Sequence, residues 1–539
     1  MRIQSFKFLI AVVLSAFMLA SPWAFNFPGW LLGFAFVPLL WIEDSLAKKA
    51  SSVAFLPFCS WAFLALLGWN LLATWWICYV SFGGMLLIAV LNALVMTIVW
   101  SVFHWAKKYF SRSVANLFFV SGWVTLEFLQ MNWQLAWPWL NLGNGLGNVV
   151  KWAQWYEYSG PLGGTLWLLV VNFVAFRMLR MAFRPGRMII PVIGSALLFL
   201  LVVIGPYWWS ASIYHRSLVP SGQKEVIVLQ PDVDPYTMKF NQQSNAGQQK
   251  VLLHLTDSLL TANTGLVISP ETALPLLHEG DSLISEKALR PFLNRLHRHP
   301  SLLFILGAIT RIDYSGDWHP SAARTDDRIH FYDYANTSLF LDSSRNIQIY
   351  HKRELVNGVE KIPFPGLFSF LKDHLIDLGG VNGSLVTNDH PVIFRTADSV
   401  GIIPVICFES AFGNYVAGLA RQRGELIVVQ TNDGWWRDSA GALQHLNFAR
   451  LRAIENRKEL VQSANTGISA LIDQRGDILE QTGLDQCTAL RGTVKLYSSM
   501  TFYSRYGDYL GRIAMLVAVL LMLYFFTQRR IQKSIKNPH

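Results

Sequence analysis

What most limits the fold of this chain is the placement of its apolar residues: almost every uninterrupted apolar run lies before Trp209 or after Tyr509, and the stretch between has soluble composition. A hydrocarbon core of ~30 Å needs about 20 mostly apolar residues per helix. Seven stretches before the insert qualify, near Phe8–Leu19, Gly29–Trp41, Val53–Val80, Gly84–Phe103, Ala115–Leu129, Gly164–Met181 and Ile189–Trp208, and an eighth runs from about Leu510 to Phe526. The first two are short for a full crossing and must tilt little or borrow flanking residues. With 52% hydrophobic and 15% charged residues, the chain is too apolar for an ordinary soluble protein of 539 residues. The expected architecture is an eight-helix transmembrane bundle interrupted by one globular α/β domain outside the membrane. The first stretch also has the outline of a cleaved signal peptide, since Arg2 and Lys7 precede an apolar run that ends in small residues. Met18, three positions before a cut after Ala20, fits the small-x-small pattern poorly.

Basic residues set the orientation. With eight spans, the even-numbered connections hold Lys48 and Lys49, then Lys107, Lys108 and Arg112, then Arg177, Arg180, Arg184 and Arg187, whereas the odd-numbered ones hold almost none, Lys151 excepted. The tail after the last span carries Arg529, Arg530, Lys533 and Lys536. The positive-inside rule then makes both termini and the basic loops cytoplasmic and puts the insert on the outer face. The net charge of +10 is largely accounted for by these loops, so no nucleic-acid partner is expected. The expected division is residues 1–210 as seven spans, 224–497 as the outer domain, 508–528 as the last span and 529–539 as a cytoplasmic tail.

Within the outer segment, Val226–Leu229, Leu266–Ser269, Leu302–Gly307, Thr337–Leu341, Gly401–Cys407 and Leu426–Gln430 read as buried strands. Asn245–Leu260, Ile284–Arg298 and Ala442–Asn456 read as helices, which argues for a layered α/β domain. The turn signals from Asp473 to Gly476 predict a late hairpin.

Three local signatures place a reactive side chain just past a strand. The first is Val267-Ile268-Ser269-Pro270-Glu271-Thr272, whose glutamate taken alone is more simply a surface residue. The second is Tyr350-His351-Lys352-Arg353-Glu354-Leu355-Val356, with Glu360 eight residues after Lys352; alone it reads as a solvated basic face. The third is Val405-Ile406-Cys407-Phe408-Glu409-Ser410, where a thiol sits at a strand-to-helix turn whose backbone N–H groups can hold a thiolate and an oxyanion. Here a buried structural cysteine is the equal alternative, and pairing of Cys407 with Cys487 is another, since Cys59 and Cys78 lie in the third span. No Cys/His spacing resembles a zinc or haem site, and neither a metal nor a cofactor is expected.

The order Glu271, Lys352, Cys407, each beside a strand end, resembles the carbon-nitrogen hydrolase (nitrilase) superfamily. Thr431-Asn432-Asp433-Gly434-Trp435-Trp436, the run Gln444-His445 through Arg457, and Asn465-Thr466-Gly467-Ile468-Ser469 resemble further motifs of that superfamily. Eight spans around such a domain resemble the apolipoprotein N-acyltransferase family, whose membrane half is matched at Glu127 and Trp137-Pro138-Trp139. One departure stands out: Leu355-Val356-Asn357-Gly358-Val359-Glu360 replaces a Leu-Val-Pro-Phe-Gly-Glu pattern, keeping the glutamate's spacing but not the loop.

The resemblance implies a nitrilase-like αββα sandwich and the following roles. Glu271 is the general base, Lys352 the cation that holds thiolate and oxyanion, Cys407 the nucleophile and the Phe408 N–H an oxyanion donor. Glu360 and Glu409 support Lys352 and the base, Trp435 shapes the site, and Trp139 and Glu127 serve the lipid substrates. The Trp-rich connection from Asn132 to Trp155 is either a lipid entrance or an interfacial anchor. The acyl donor is a membrane phospholipid, and the acceptor the α-amine of a diacylglyceryl-modified cysteine on an apolipoprotein. A membrane-tethered amidase that lets water attack the thioester, and a non-catalytic lipid-binding assembly protein, are the rival expectations.

Overall fold

The computed structural model describes residues 2–47, 55–183, 189–239, 242–314, 323–325, 330–364, 385–387, 390, 392–437 and 439–536. Lys48, Lys49, Arg184 and Arg187, used above for orientation, lie outside the described residues, as do the side chains of Lys533 and Lys536. The chain divides into two units, Met1–Arg216 with Asp508–His539, and Ser217–Gly507.

The first unit has, among the described residues, eight helical segments long and apolar enough to cross a membrane: Ile3–Ala24, Gly29–Ala47, Phe55–Tyr79, Phe82–Ala106, Arg112–Met131, Tyr156–Ala182, Ile189–Tyr214 and Tyr509–Ile531. The first runs past Ala20 without a break and buries Ala16, Leu19, Ala20 and Trp23, and its Ser15 hydroxyl donates to the Ala35 carbonyl at 2.5 Å. It thus packs as a core member of the bundle. The second is composite, a tight 3₁₀ stretch at Gly29–Phe34 followed by an α-helix at Val37–Ala47. Lipid gives helices no hydrophobic reason to associate, so packing and polar contacts must hold them. Phe36 meets Trp100 and Trp123 edge-on at 5.3 and 4.9 Å. An amide chain joins three helices, with Asn92 donating to Asn70 at 2.7 Å and Gln130 to Asn92 at 2.5 Å.

The connection from Asn132 to Trp155 is folded into the first unit over most of its length. Residues 138–147 are buried, and Trp139 lies inside the bundle against Trp76 at 5.2 Å. Irregular backbone survives within a membrane bundle only where side chains satisfy its polar groups. Glu127 does this: its Oε1 accepts from the Leu142 N–H and the Trp123 indole, both at 2.9 Å, and its Oε2 from the Thr165 hydroxyl at 2.5 Å. Thr165 also accepts from the Gly143 N–H at 2.9 Å, and Tyr156 donates to the Gly143 carbonyl at 2.7 Å. Glu127 and Trp139, expected above to serve the lipid substrates, are both buried, and Glu127 holds this folded-in segment.

Charged side chains gather at one end of the bundle. Glu43 pairs with Lys107 and, at 3.0 Å, with His104; Asp44 lies 3.6 Å from both Arg112 and Arg180; and Arg529 lies over the Trp105 ring at 4.7 Å. Four of the basic residues used for orientation, Lys107, Arg112, Arg180 and Arg529, therefore share an end.

In the second unit the described strands are β1 (Gly222–Gln230), β2 (Thr264–Ile268), β3 (Leu274–His278), β4 (Leu303–Tyr314), β5 (Arg324–Thr325), β6 (Phe331–Leu341), β7 (Ile347–His351), β8 (Phe394–Arg395), β9 (Gly401–Ile406), β10 (Leu426–Thr431), β11 (Leu460–Ala464), β12 (Ala470–Ile472), β13 (Ile478–Gln481) and β14 (Thr488–Leu496). One sheet runs β14-β1-β2-β4-β6-β5, with β3 on β4 and β7 on β6; the other runs β13-β12-β11-β10-β9-β8. The middles are parallel, β1 with β2 and β4 in one, β9 with β10 and β11 in the other.

The two-residue period of a strand builds the layers. Val226, Val228, Leu266, Ile268 and Ile305 point one way and meet Ile402, Ile406, Val428 and Val461 between the sheets. Their neighbours Ile227, Val267, Phe304 and Leu306 point outward onto helices Asn245–Leu259 and Arg290–Arg298. On the other sheet Ile403, Val405, Ile427 and Val429 meet helices Gly413–Ala420 and Ala440–Asn456. The result is an αββα sandwich. The helix expected over Ile284–Arg298 starts only at Arg290, because Pro291 belongs in a first turn, where its missing N–H costs nothing. The hairpin expected at Asp473–Gly476 joins β12 to β13, with Gly476 at φ +82°.

Candidate active site

The parallel strands β2 and β9 end at the same edge of the sandwich, and the residues just past their carboxyl ends are Glu271 and Cys407. Glu271 is buried, and its Oε1 accepts from Asn336 Nδ2 at 2.7 Å and Lys352 Nζ at 3.1 Å. Burial favours the neutral carboxyl, but the Lys352 and Lys239 charges and the hydrogen bonds outweigh it and hold Glu271 below the ordinary carboxylate range. Gly307 lets the loop come this close: a Cβ there would run into the Pro270 carbonyl and lie 2.9 Å from Glu271 Cα.

Lys352 follows β7, and its N–H donates to the Asn336 carbonyl at 2.8 Å. Its Nζ bridges Glu271 and Glu360, the latter at 2.9 Å. Burial opposes its charge, yet the Glu271, Glu360 and Cys407 charges more than compensate and raise its pKa well above that of a free lysine. The altered loop holds Glu360 in place by a compact turn. Gly358, at φ +77°, donates to the Lys361 carbonyl at 2.9 Å, and Glu360 Oε2 accepts the Val356 N–H at 2.9 Å. Asn336, which no motif flagged, donates to both carboxylates and so fixes their spacing.

Cys407 opens a one-turn helix, Cys407–Ala411, and has φ +50°, a left-handed conformation that costs a residue with a Cβ energy. A buried polar cluster holds it there. His445 Nε2 lies 3.0 Å from the Cys407 carbonyl and 2.6 Å from Ser410 Oγ, and Nδ1 lies 2.9 Å from Asp433 Oδ1. A carbonyl and a carboxylate only accept, so both ring nitrogens must carry protons. In agreement, burial lowers the His445 pKa but the Asp433 charge and the hydrogen bonds raise it overall. Burial, with the Glu271 and Asp433 charges, pushes the Cys407 thiol far above its ordinary range against the pull of Lys352 and the Thr431 hydroxyl. The resting sulfur is therefore a thiol that needs a base. Phe408 is the second residue of the same turn, its ring edge-on to Phe412 at 5.1 Å.

Glu409 has a different place from Glu360. Its Oε1 accepts the Arg353 N–H and its Oε2 the Ile406 N–H, both at 2.7 Å, so it ties the Lys352 segment to the Cys407 segment through backbone. Burial pushes its pKa up to about 7 against these bonds and that from Tyr350. Trp435 is half-buried in the turn Asp433–Trp436, its carbonyl accepting from Tyr236 at 2.7 Å. Cys407 and Cys487 are both free thiols, the first buried and the second exposed. Among the described residues no cluster of His, Cys, Asp and Glu has the make-up of a metal site.

A sandwich of two mixed sheets with Glu, Lys and Cys gathered at the strand ends defines a carbon-nitrogen hydrolase domain, here carried by a chain with a membrane-spanning bundle. The family model described as "Carbon-nitrogen hydrolase" matches residues 236–498, and that described as "Apolipoprotein N-acyltransferase N-terminal domain" matches residues 15–174. Curated relatives named apolipoprotein N-acyltransferase align along nearly the whole chain. The one from Chlorobaculum tepidum is 25% identical over 93% of this chain and 96% of its own length, and the one from Thermotoga maritima 27% identical over 95% and 92%. The chain belongs to the apolipoprotein N-acyltransferase family.

Proposed function

We infer that this chain is an N-acyltransferase that moves an acyl chain from a membrane phospholipid, through a thioester on Cys407, to the α-amine of a diacylglyceryl-cysteine on an apolipoprotein. The observation that carries this reading is an ionised, buried Glu271 held beside Lys352 and a protonated Cys407 thiol. As sulfur attacks the ester carbonyl, its proton passes to Glu271, and the negative charge moves to the carbonyl oxygen facing Lys352 and the Phe408 N–H. The C–O bond breaks, Glu271 returns the proton to the departing alkoxide, and a lysophospholipid leaves. The acceptor amine, in its neutral form, attacks the thioester; Glu271 takes its proton, the C–S bond breaks, and the sulfur is reprotonated. Two substrates sharing one thiol in turn require ping-pong kinetics.

The membrane unit supports the same reading, because both substrates carry acyl chains, each buried CH₂ of which is worth ~0.8 kcal/mol. In this reading residues 1–210 and 508–528 span the inner membrane, 224–497 form a periplasmic catalytic domain whose Trp435 borders the substrate, and 529–539 form a cytoplasmic tail. Purified protein given labelled phospholipid and no acceptor should yield a thioester on Cys407 that hydroxylamine cleaves. Addition of a diacylglyceryl-peptide should move the label to its N-terminus. Label ending as free fatty acid with the peptide present would instead identify a hydrolase, and no thioester at Cys407 would overturn the mechanism.

A further inference from the structure

The charges of the site do not balance with Glu271, Lys352 and Glu360 alone. Lys352 Nζ sits between two carboxylates, 3.1 Å from Glu271 and 2.9 Å from Glu360, so one cation faces two anions before any reaction begins. Moving a proton from Cys407 to Glu271 leaves that sum unchanged, and the tetrahedral oxyanion then only takes the place of the Glu271 charge. A buried site one charge short of neutrality is costly at every step of the cycle.

A second buried cation lies at the same place. Lys239, in the turn that follows β1, is 5% exposed, and its Nζ donates to the backbone carbonyl of Glu271 at 2.9 Å. The side-chain amide of Asn432 lies 3.0 Å away on another side. Both neighbours are neutral, and among the described residues Lys239 makes no ion pair. An ammonium has three donors and no acceptor, so two neutral neighbours leave a donor and the whole charge for the reacting groups. The charges that act on it are those of Glu271, past β2, and Cys407, past β9, with Lys352 and Glu360 beyond Glu271. We propose that Lys239 is the second cation of the site: anchored through the Glu271 backbone, it offsets the surplus carboxylate and stabilises the thiolate and the oxyanion that form at Cys407. Its own protonation is finely set, since burial outweighs the opposing charges of Glu271 and Cys407 and brings it down to about 7. Negative charge arising on Cys407 therefore keeps it protonated when it is needed. Lys352 holds the base and faces the oxyanion, and Lys239 shares the negative charge that deprotonation of Cys407 creates.

The inference rests on the N-acyltransferase reading only in taking Cys407 as the nucleophile. It is tested with the full-length protein in phospholipid nanodiscs, Cys59, Cys78 and Cys487 replaced by Ala, comparing Lys239→Met and Lys239→Arg with the parent. Three measurements are made: single-turnover thioester formation, the pH profile of Cys407 alkylation by uncharged iodoacetamide, and Tm. Lys239→Met should slow thioester formation about 10²-fold, the scale of losing one oxyanion donor. It should also slow Cys407 alkylation about 10-fold at every pH below the midpoint, the equivalent of about one pH unit, and leave Tm unchanged or higher, because a buried charge has been removed. Lys239→Arg should restore most of both kinetic readouts. A Lys239→Met protein that acylates at the parent rate, or one that loses activity together with Tm while its alkylation profile stays put, would overturn the proposal. If the parent itself forms no thioester, the acyltransferase reading fails, and the alkylation profile still decides the role of Lys239.

Discussion

Gly307→Ala is the mildest change that reaches the base. Gly307 lies in β4, and the added methyl would overlap the Pro270 carbonyl oxygen and come within 2.8 Å of Thr272 N and 2.9 Å of Glu271 Cα. Ordinary contact begins near 3.4 Å, and all three obstacles are backbone, so no rotamer change relieves them. β4 is pinned on both flanks, to β2 and to β6, whereas the Pro270–Thr272 segment is a loop; the loop must therefore retreat by roughly an ångström. Such a shift breaks the 2.7 Å bond from Asn336 and the 3.1 Å bond from Lys352. A misplacement of that size costs about 10²-fold in rate, while overpacking costs about 1–3 kcal/mol of stability. The assay is single-turnover transfer of a labelled acyl chain to Cys407 under saturating phospholipid, with Tm measured alongside. Thioester formation should fall about 10²-fold in a protein that remains folded. Formation at the normal rate would mean that the base does not need the position the structure gives it, and would undo the argument from Glu271.

Three further outcomes follow from the same geometry. Glu360→Gln keeps the side chain's size but removes one of the two charges on Lys352, and should slow thioester formation about 10-fold or more with little change in Tm; normal kinetics would show that Glu360 does not orient Lys352. Because Glu271 is held below the ordinary carboxylate range, its ionised, proton-accepting form is present above that lowered pKa and lost as pH falls through it. The acid limb of the single-turnover rate should therefore lie below the ~4.3 of a free glutamate, and a limb at or above that value would contradict it. The exposed Cys487 is a built-in reporter of sidedness: a membrane-impermeant maleimide should label it once the outer membrane is opened, and labelling only after the inner membrane is breached would reverse the topology.

The sequence alone determines what depends on local periodicity. Apolar runs of span length name the membrane segments, because the bilayer sets a minimum length, and the described helices meet all eight. Strand alternation and turn residues give the layers of the second unit, and motif spacing singles out Glu271, Lys352, Glu360 and Cys407. What depends on register across the fold is not legible there. Asn336 and Lys239 stand 65 and 32 residues from Glu271 in the chain and reach it only because β6 and the turn after β1 flank the same strand ends. Asp433 and His445 were visible as parts of a motif, but that they pin the Cys407 carbonyl at a positive φ is a fact of packing. The clearest case is the segment after Glu127, whose tryptophans have an interfacial composition. Composition reports what a segment can tolerate, whereas its burial was decided by Glu127, Tyr156 and Thr165, which supply the partners an irregular backbone needs away from water.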